Sequence, residues 1–244
     1  MWTRKELKTK GKAAFKANYW RSVLVALLIV FVLGSGLSAA RSGNNSAVEN
    51  GSAVSETDTA FARLSDLLEQ MPAEVAGAVL LTVVGAIGGA VVTYILIDVL
   101  VLNPLEVGCR RFYVVNCDEP AGLGELGYGY RNSYGNVVQT GLLRDIYLFL
   151  WSLLFIIPGT VKRYSYRLVP YILAEDPAMK PKEAITLSRS LMKGHKWRAF
   201  VLDLSFIGWD ILSGLTFGLV GVFYSNPYQC ATNAELYKAI RGAD

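Results

Sequence analysis

The chain has 244 residues, 52% apolar and 18% charged, and its 24 Lys and Arg outnumber its 20 Asp and Glu for a net charge of +4. A soluble domain of this length scatters its apolar residues at periods of 2 or 3.6. Here they gather in long blocks between charged loops, which argues against a soluble enzyme and for a polytopic membrane protein. A single histidine excludes a His-based metal cluster, and Cys109, Cys117 and Cys230, without CxxC spacing, read as unpaired and reduced.

Residues 1–21 carry Arg4, Lys5, Lys8, Lys10, Lys12, Lys16 and Arg21 against a lone Glu6. With Trp2, Leu7, Ala14 and Phe15 they read as a basic amphipathic helix lying on the inner leaflet, where anionic lipid attracts it. A basic run that abuts an apolar span is topogenic rather than a nucleic-acid tail. The first span, 22–40, reads as a retained anchor because its apolar run exceeds a signal core. Residues 41–74 turn polar and acidic, as an outer loop does, with Thr59 to Gln70 as a short helix. The triplets at Asn44 and Asn50 fit a glycosylation pattern and read as coincidence. The second span, 75–102, holds no charge before Asp98 and presents Gly85, Gly88 and Gly89 as a face for close helix approach. Arg110 and Arg111 put its far end in the cytoplasm.

Residues 116–135 form a cytoplasmic loop rich in Gly and Tyr. Its Gly122-x-Gly124-x-x-Gly127 lacks the preceding strand that dinucleotide binding requires. Further spans fall near 137–157, 159–175, 199–217 and 219–240, the second of these being either a crossing or a re-entrant segment. Pro181 starts a surface helix with Ala184, Ile185, Leu187, Leu191 and Met192 near one side, and Gly194 ends it. Lys193, His195, Trp197 and Arg198 then make a collar of the residue types that sit at lipid headgroups. The expected architecture is all-α: one integral membrane domain over 1–244, with about six transmembrane helices arranged as three helical hairpins, amphipathic interfacial helices and both termini cytoplasmic.

Two features sharpen that outline. Lys16-x-x-x-Trp20-Arg21 and Lys193-x-x-x-Trp197-Arg198 each precede an apolar span, and the returning spans share Asn103-Pro104 and Asn226-Pro227, with a fainter echo at Tyr134 and Val169-Pro170. An internal repeat of hairpins is common in membrane folds. In addition, Met1-Trp-Thr-Arg-Lys-Glu-Leu-Lys, Ile156-Ile-Pro-Gly, Tyr171-Ile-Leu-Ala-Glu-Asp-Pro, Leu187-Ser-Arg-Ser-Leu-Met-Lys-Gly-His-Lys-Trp and Leu202-Asp-Leu-Ser-Phe-Ile-Gly-Trp resemble an uncharacterised bacterial integral membrane family, domain of unknown function 975. The resemblance spans nearly the whole chain and implies a six-helix protein of the bacterial cytoplasmic membrane, without implying an activity or a ligand. Its overall pattern is loosely similar to the membrane region fused to some glycerophosphodiester phosphodiesterases.

Ionisable groups inside a bilayer are costly unless paired or hydrated, so Asp98, Arg163, Arg167, Asp203 and Asp210 form the candidate intramembrane cluster. On straight helices Asp210 lies about 16 Å past Ala199, and Arg167 about 12 Å in from the opposite side, depths that suit an Arg167–Asp210 pair. No catalytic, cofactor or metal residue is expected, since neither a serine elbow, HExxH, Walker A nor a carboxylate pair occurs. The expected role is non-catalytic, binding membrane lipid or an unidentified membrane-protein partner, in a regulatory or organising capacity, with no nucleic acid. The alternative is a small transporter or channel that uses the intramembrane Asp and Arg residues.

Overall fold

The computed structural model describes residues 2–30, 63, 72–154 and 156–242, and every regular element among them is helical. The first span beyond Val30 and most of the polar loop lie outside the described residues, and with them the Asn44 and Asn50 triplets and most of the helix expected at Thr59 to Gln70. The chain divides into two compact units, Met1–Val32 with Val99–Asp244, and Leu33–Asp98.

In the first unit the Thr3 hydroxyl accepts the Glu6 N–H at 3.3 Å and starts α1 (Arg4–Ala17). Leu7, Gly11 and Phe15 recur every four residues and are buried. Their partner is protein: α1 packs along residues 226–241, so close that a Cβ on Gly11 would stand 2.8 Å from the Thr232 backbone. The expectation of an apolar face resting on lipid is thereby corrected, because that face is already covered. Asn18 ends α1, and α2 (Tyr19–Val30) departs at 109°. Its Val25, Ala26 and Ile29 are buried, whereas Leu24, Leu27 and Val30 on the opposite side are exposed.

The second unit contributes α3 (Ala73–Ile97), apolar on every side. Thr82 and Thr93 return their hydroxyls to the carbonyls of Ala78 and Gly89, both at 2.8 Å, which hides their polarity. A Cβ on Gly85, Gly88 or Gly89 would meet nothing within 4 Å among the described residues of this unit. The helical run Gly77–Val115, 39 residues, is the one helix among the described residues that is long and apolar enough to cross a bilayer. The bent pair α1 and α2 passes the same test only when taken together.

That long run includes a π turn, Asp98–Leu102, followed by α4 (Asn103–Val115), which belongs to the first unit. There follow α5 (Tyr134–Leu154), α6 (Ile156–Tyr166), α7 (Val169–Glu175), α8 (Pro181–Leu191), α9 (Lys196–Leu204), α10 (Ile207–Leu215) and α11 (Asn226–Arg241). The surface helix starts at Pro181 as expected, but it ends at Leu191, three residues before Gly194, whose φ of +83° turns the chain after it. Two expected spans are instead broken. Residues 159–175 divide at Arg167-Leu168, where Pro170 falls in the first turn of α7. Residues 199–217 divide at Ser205-Phe206, where the Ser205 N–H is shared between the Val201 and Leu202 carbonyls and its hydroxyl binds Leu202 at 2.6 Å.

The prolines explain a recurrent device. Asn103-Pro104 and Asn226-Pro227 are each preceded by a five-residue π turn, Asp98–Leu102 and Gly221–Ser225. Proline lacks the N–H that the carbonyl four residues earlier would have received. Those carbonyls, Leu100 and Phe223, accept hydroxyls from Tyr134 (2.8 Å) and Tyr19 (3.1 Å) respectively. At the third break the Ser165 carbonyl, five residues before Pro170, accepts the Ser188 hydroxyl at 2.8 Å. Each of these three breaks thus receives a hydroxyl from a segment distant in the chain. Gly11→Val is expected to lower stability by about 1–3 kcal/mol by overpacking, and Gly85→Val to cost nothing measurable. Thermal unfolding of the purified full chain in detergent would check both.

Candidate functional site

Many polar groups of the first unit gather in two networks and two corners. The larger network sits on α4, α5 and α7. Glu106, one turn below Asn103 and one turn above Arg110, is buried and uses both carboxylate oxygens: Oε1 accepts from Arg110 (3.1 Å) and Oε2 from Arg144 (2.9 Å). Arg144 spends its three nitrogens on Asp145 (2.9 Å), Glu106 and the Asn103 side-chain oxygen (3.0 Å), while Asn103 donates to Asp145 at 3.0 Å. Arg110 reaches the Tyr171 hydroxyl at 3.3 Å and lies over its ring. Two carboxylates offset two guanidinium groups, so the network is neutral and closely hydrogen-bonded, the condition under which buried charge is tolerated. Chemically it is a clamp, for each of the four carboxylate oxygens accepts a hydrogen bond from within the network.

The second network holds the sequence-derived residues. Arg167 makes a bidentate pair with Asp203 (2.7 and 2.8 Å), and its Nη2 also donates to Asn233 at 2.8 Å, while Tyr164 donates to Asp203 at 2.9 Å. The expected partner Asp210 instead accepts from Gln229 at 2.9 Å and is exposed. The break at Ser205-Phe206 is the reason: it ends the straight helix on which the depths were reckoned and turns Asp210 off the Asp203 face. Arg163 is exposed and does not join Arg167. Asp98 occupies the first position of the π turn, half-buried, in the other unit.

The collar at 193–198 splits. Lys193 and Trp197 are exposed, but His195 and Arg198 turn inward toward Trp2. The Trp2 and His195 ring centroids are 6.0 Å apart, and the Arg198 guanidinium lies 5.1 Å from the Trp2 ring. At the matching corner Asn18 donates to Asn116 and the Ala121 carbonyl, both at 2.8 Å, and Arg21 donates to the same carbonyl at 3.2 Å. Further along α1, Lys8 donates to the Ser205 carbonyl (2.9 Å) over the Phe206 ring. Desolvation first, and the neighbouring Arg4 second, hold the Lys8 ammonium below its ordinary pKa.

The family described as Protein of unknown function (DUF975) matches residues 126–244. That match, over just under half of the chain, supports membership of the DUF975 family. The DUF975 segment holds the Arg167–Asp203 network and the 193–198 collar, whereas Trp2, Glu106 and Arg110 precede it. No curated protein and no solved structure matches the chain.

Sequence reasoning missed the Glu106 network as a unit, although the Glu106/Arg110 spacing of four and the adjacent Arg144-Asp145 were both visible. Nothing local shows that helices 38 residues apart share a carboxylate. Glu106→Leu, which leaves Arg110 uncompensated and Arg144 with Asp145 alone, is expected to cost about 3–5 kcal/mol. Arg167→Met and Asp203→Leu, at a half-exposed pair, are expected to cost about 1–3 kcal/mol each, with the double variant recovering much of the loss. Additive losses in a thermal double-mutant cycle would refute that pairing.

Proposed function

We propose that the chain is a multi-pass, non-catalytic protein of the bacterial cytoplasmic membrane, a single integral membrane domain that binds lipid or a protein partner and serves to regulate or organise. The observation that carries this reading is an inverted distribution of polarity. Leu153 on α5 and Leu215 on α10 are 75% and 74% exposed, and Ile146, Phe149, Ile207 and Ile211 share their faces and are exposed with them. Meanwhile Glu106, Asn103 and Thr140 are buried. In water each such apolar side chain forgoes about 1.5–3 kcal/mol of burial, whereas lipid removes that cost. Fully apolar α3 supports the same reading.

On this reading about six crossings form three hairpins, with both termini, Arg110 and Arg111, and the 180–198 stretch on the cytoplasmic side where the Lys and Arg excess lies. The mutual pairing of Arg167 with Asp203 and of Glu106 with two arginines favours structural charges over a conduction path. In whole cells, single cysteines introduced at 50 and 190 into a cysteine-free chain are expected to label from outside and not to label, respectively. Outside labelling at 190, or none at 50, would overturn the topology. A folded Arg167→Met/Asp203→Leu variant that lost a cellular solute flux would shift the reading to transport.

A further inference from the structure

The corner between Trp2 and α9 holds three buried side-chain nitrogens that have no hydrogen-bond partner among the described residues: Trp2 Nε1, His195 Nδ1 and Arg198 Nη1. Trp2 itself is only 7% exposed. An indole N–H and a guanidinium can only donate, so both require an acceptor. Arg198 pairs with no carboxylate among the described residues, so a negative acceptor also balances its charge. The same point is the N-terminus of α9, nine residues long, where His195 stands at the cap position without a side-chain cap. The first backbone N–H groups of a helix are unpaired and its dipole favours an anion there.

The internal repeat supplies an independent argument. Aligning Lys16-x-x-x-Trp20-Arg21 with Lys193-x-x-x-Trp197-Arg198 superposes Asn18 on His195 and Arg21 on Arg198. The tryptophans agree, Trp20 being 69% and Trp197 72% exposed. In the first corner the two donors converge on one oxygen, the Ala121 carbonyl. In the second the equivalent pair meets no such carbonyl among the described residues, has the unpartnered Trp2 N–H nearby, and is flanked by Lys193 and Lys196.

We propose that Trp2, His195 and Arg198 form a phosphate-binding corner. Its geometry suits an anionic phosphate oxygen, whether from a phospholipid headgroup or from a free phosphate. Only the lipid source rests on the membrane reading above.

The test uses the purified full chain in a zwitterionic detergent. Thermal shift and equilibrium binding are measured with inorganic phosphate against chloride at matched ionic strength, and separately with micelles doped with phosphatidylglycerol against phosphatidylcholine. A saturable stabilisation is expected. Arg198→Gln should weaken binding at least tenfold, and Trp2→Phe, which keeps the ring and removes one N–H, about three- to tenfold. Trp197→Phe should leave it unchanged. A response to phosphatidylglycerol alone assigns a lipid, and a response to inorganic phosphate alone assigns a soluble phosphate and overturns the lipid source. No response to either, or an equal response in folded Trp2→Phe and Arg198→Gln, would overturn the corner as a site. Cysteine labelling reads the topology separately, so loss of binding with intact topology counts against the corner alone.

Discussion

One carboxylate anchors the first unit: Glu106, whose two oxygens each hold a guanidinium, from Arg110 on its own helix and Arg144 on α5. Through Arg110 the linkage continues to Tyr171 on α7, and the stacked Tyr171–Tyr237 rings extend it to α11. Four helices are therefore tied to a group that cannot move without exposing buried charge. The shape of the backbone around it follows. Gly141 lies against the Asn103 side chain, where a Cβ would come within 2.8 Å, and Gly129 lies against the Pro104 carbonyl, where one would come within 2.4 Å. Those close approaches bring Arg144 and Asp145 within reach of α4.

Around this clamp the proline-bearing helices repeat a single solution to a backbone defect. A carbonyl that proline has deprived of its donor needs another, and a protein hydroxyl supplies it. Tyr134 serves Leu100 and Tyr19 serves Phe223, while Ser188 serves Ser165, one residue before the carbonyl that Pro170 leaves without its donor. Read in chain order, the donor segments lead into α5, α9 and α2, and the acceptors lie before α4, α7 and α11. The relation is cyclic, with each segment donating at another's break. The π turns before Asn103 and Asn226 show that the repeated dipeptide reflects a shared backbone state.

The helical class, the α8 start at Pro181, the turn at Gly194 and the Asn-Pro correspondence were legible because they depend on local chemistry. The two broken spans were half legible: Pro170 was a visible signal, whereas Ser205-Phe206 carries no proline or glycine and breaks through a serine hydroxyl bond. That break is also why Arg167 finds Asp203 and leaves Asp210 to Gln229. The apolar stripe Leu7, Gly11 and Phe15 was readable as amphipathic, yet amphipathicity does not say what covers the stripe. Gly11 was the clue, since a surface helix on lipid has no need of a glycine where Thr232 comes close. Trp2 beside His195 was not legible, because 193 residues separate them and neither has a charge to suggest the other.

The order of the charges along the chain bears on how such a unit assembles. Glu106 and Arg110 are one turn apart on α4, and Arg144 and Asp145 are neighbours on α5. Glu106 can therefore neutralise Arg110, and Asp145 can neutralise Arg144, before the two helices dock, so that neither pair brings a net charge to the contact. Docking exchanges no lone charge for a pair; it joins two neutral pairs and adds the Arg144–Glu106 and Asn103–Asp145 bonds. Arg167 and Asp203 have no such local partner, and their pair forms across 36 residues where Asp203 keeps contact with the surface. The deepest charges are thus those that the sequence places side by side, and the pair that must wait for a distant partner is the one left partly open.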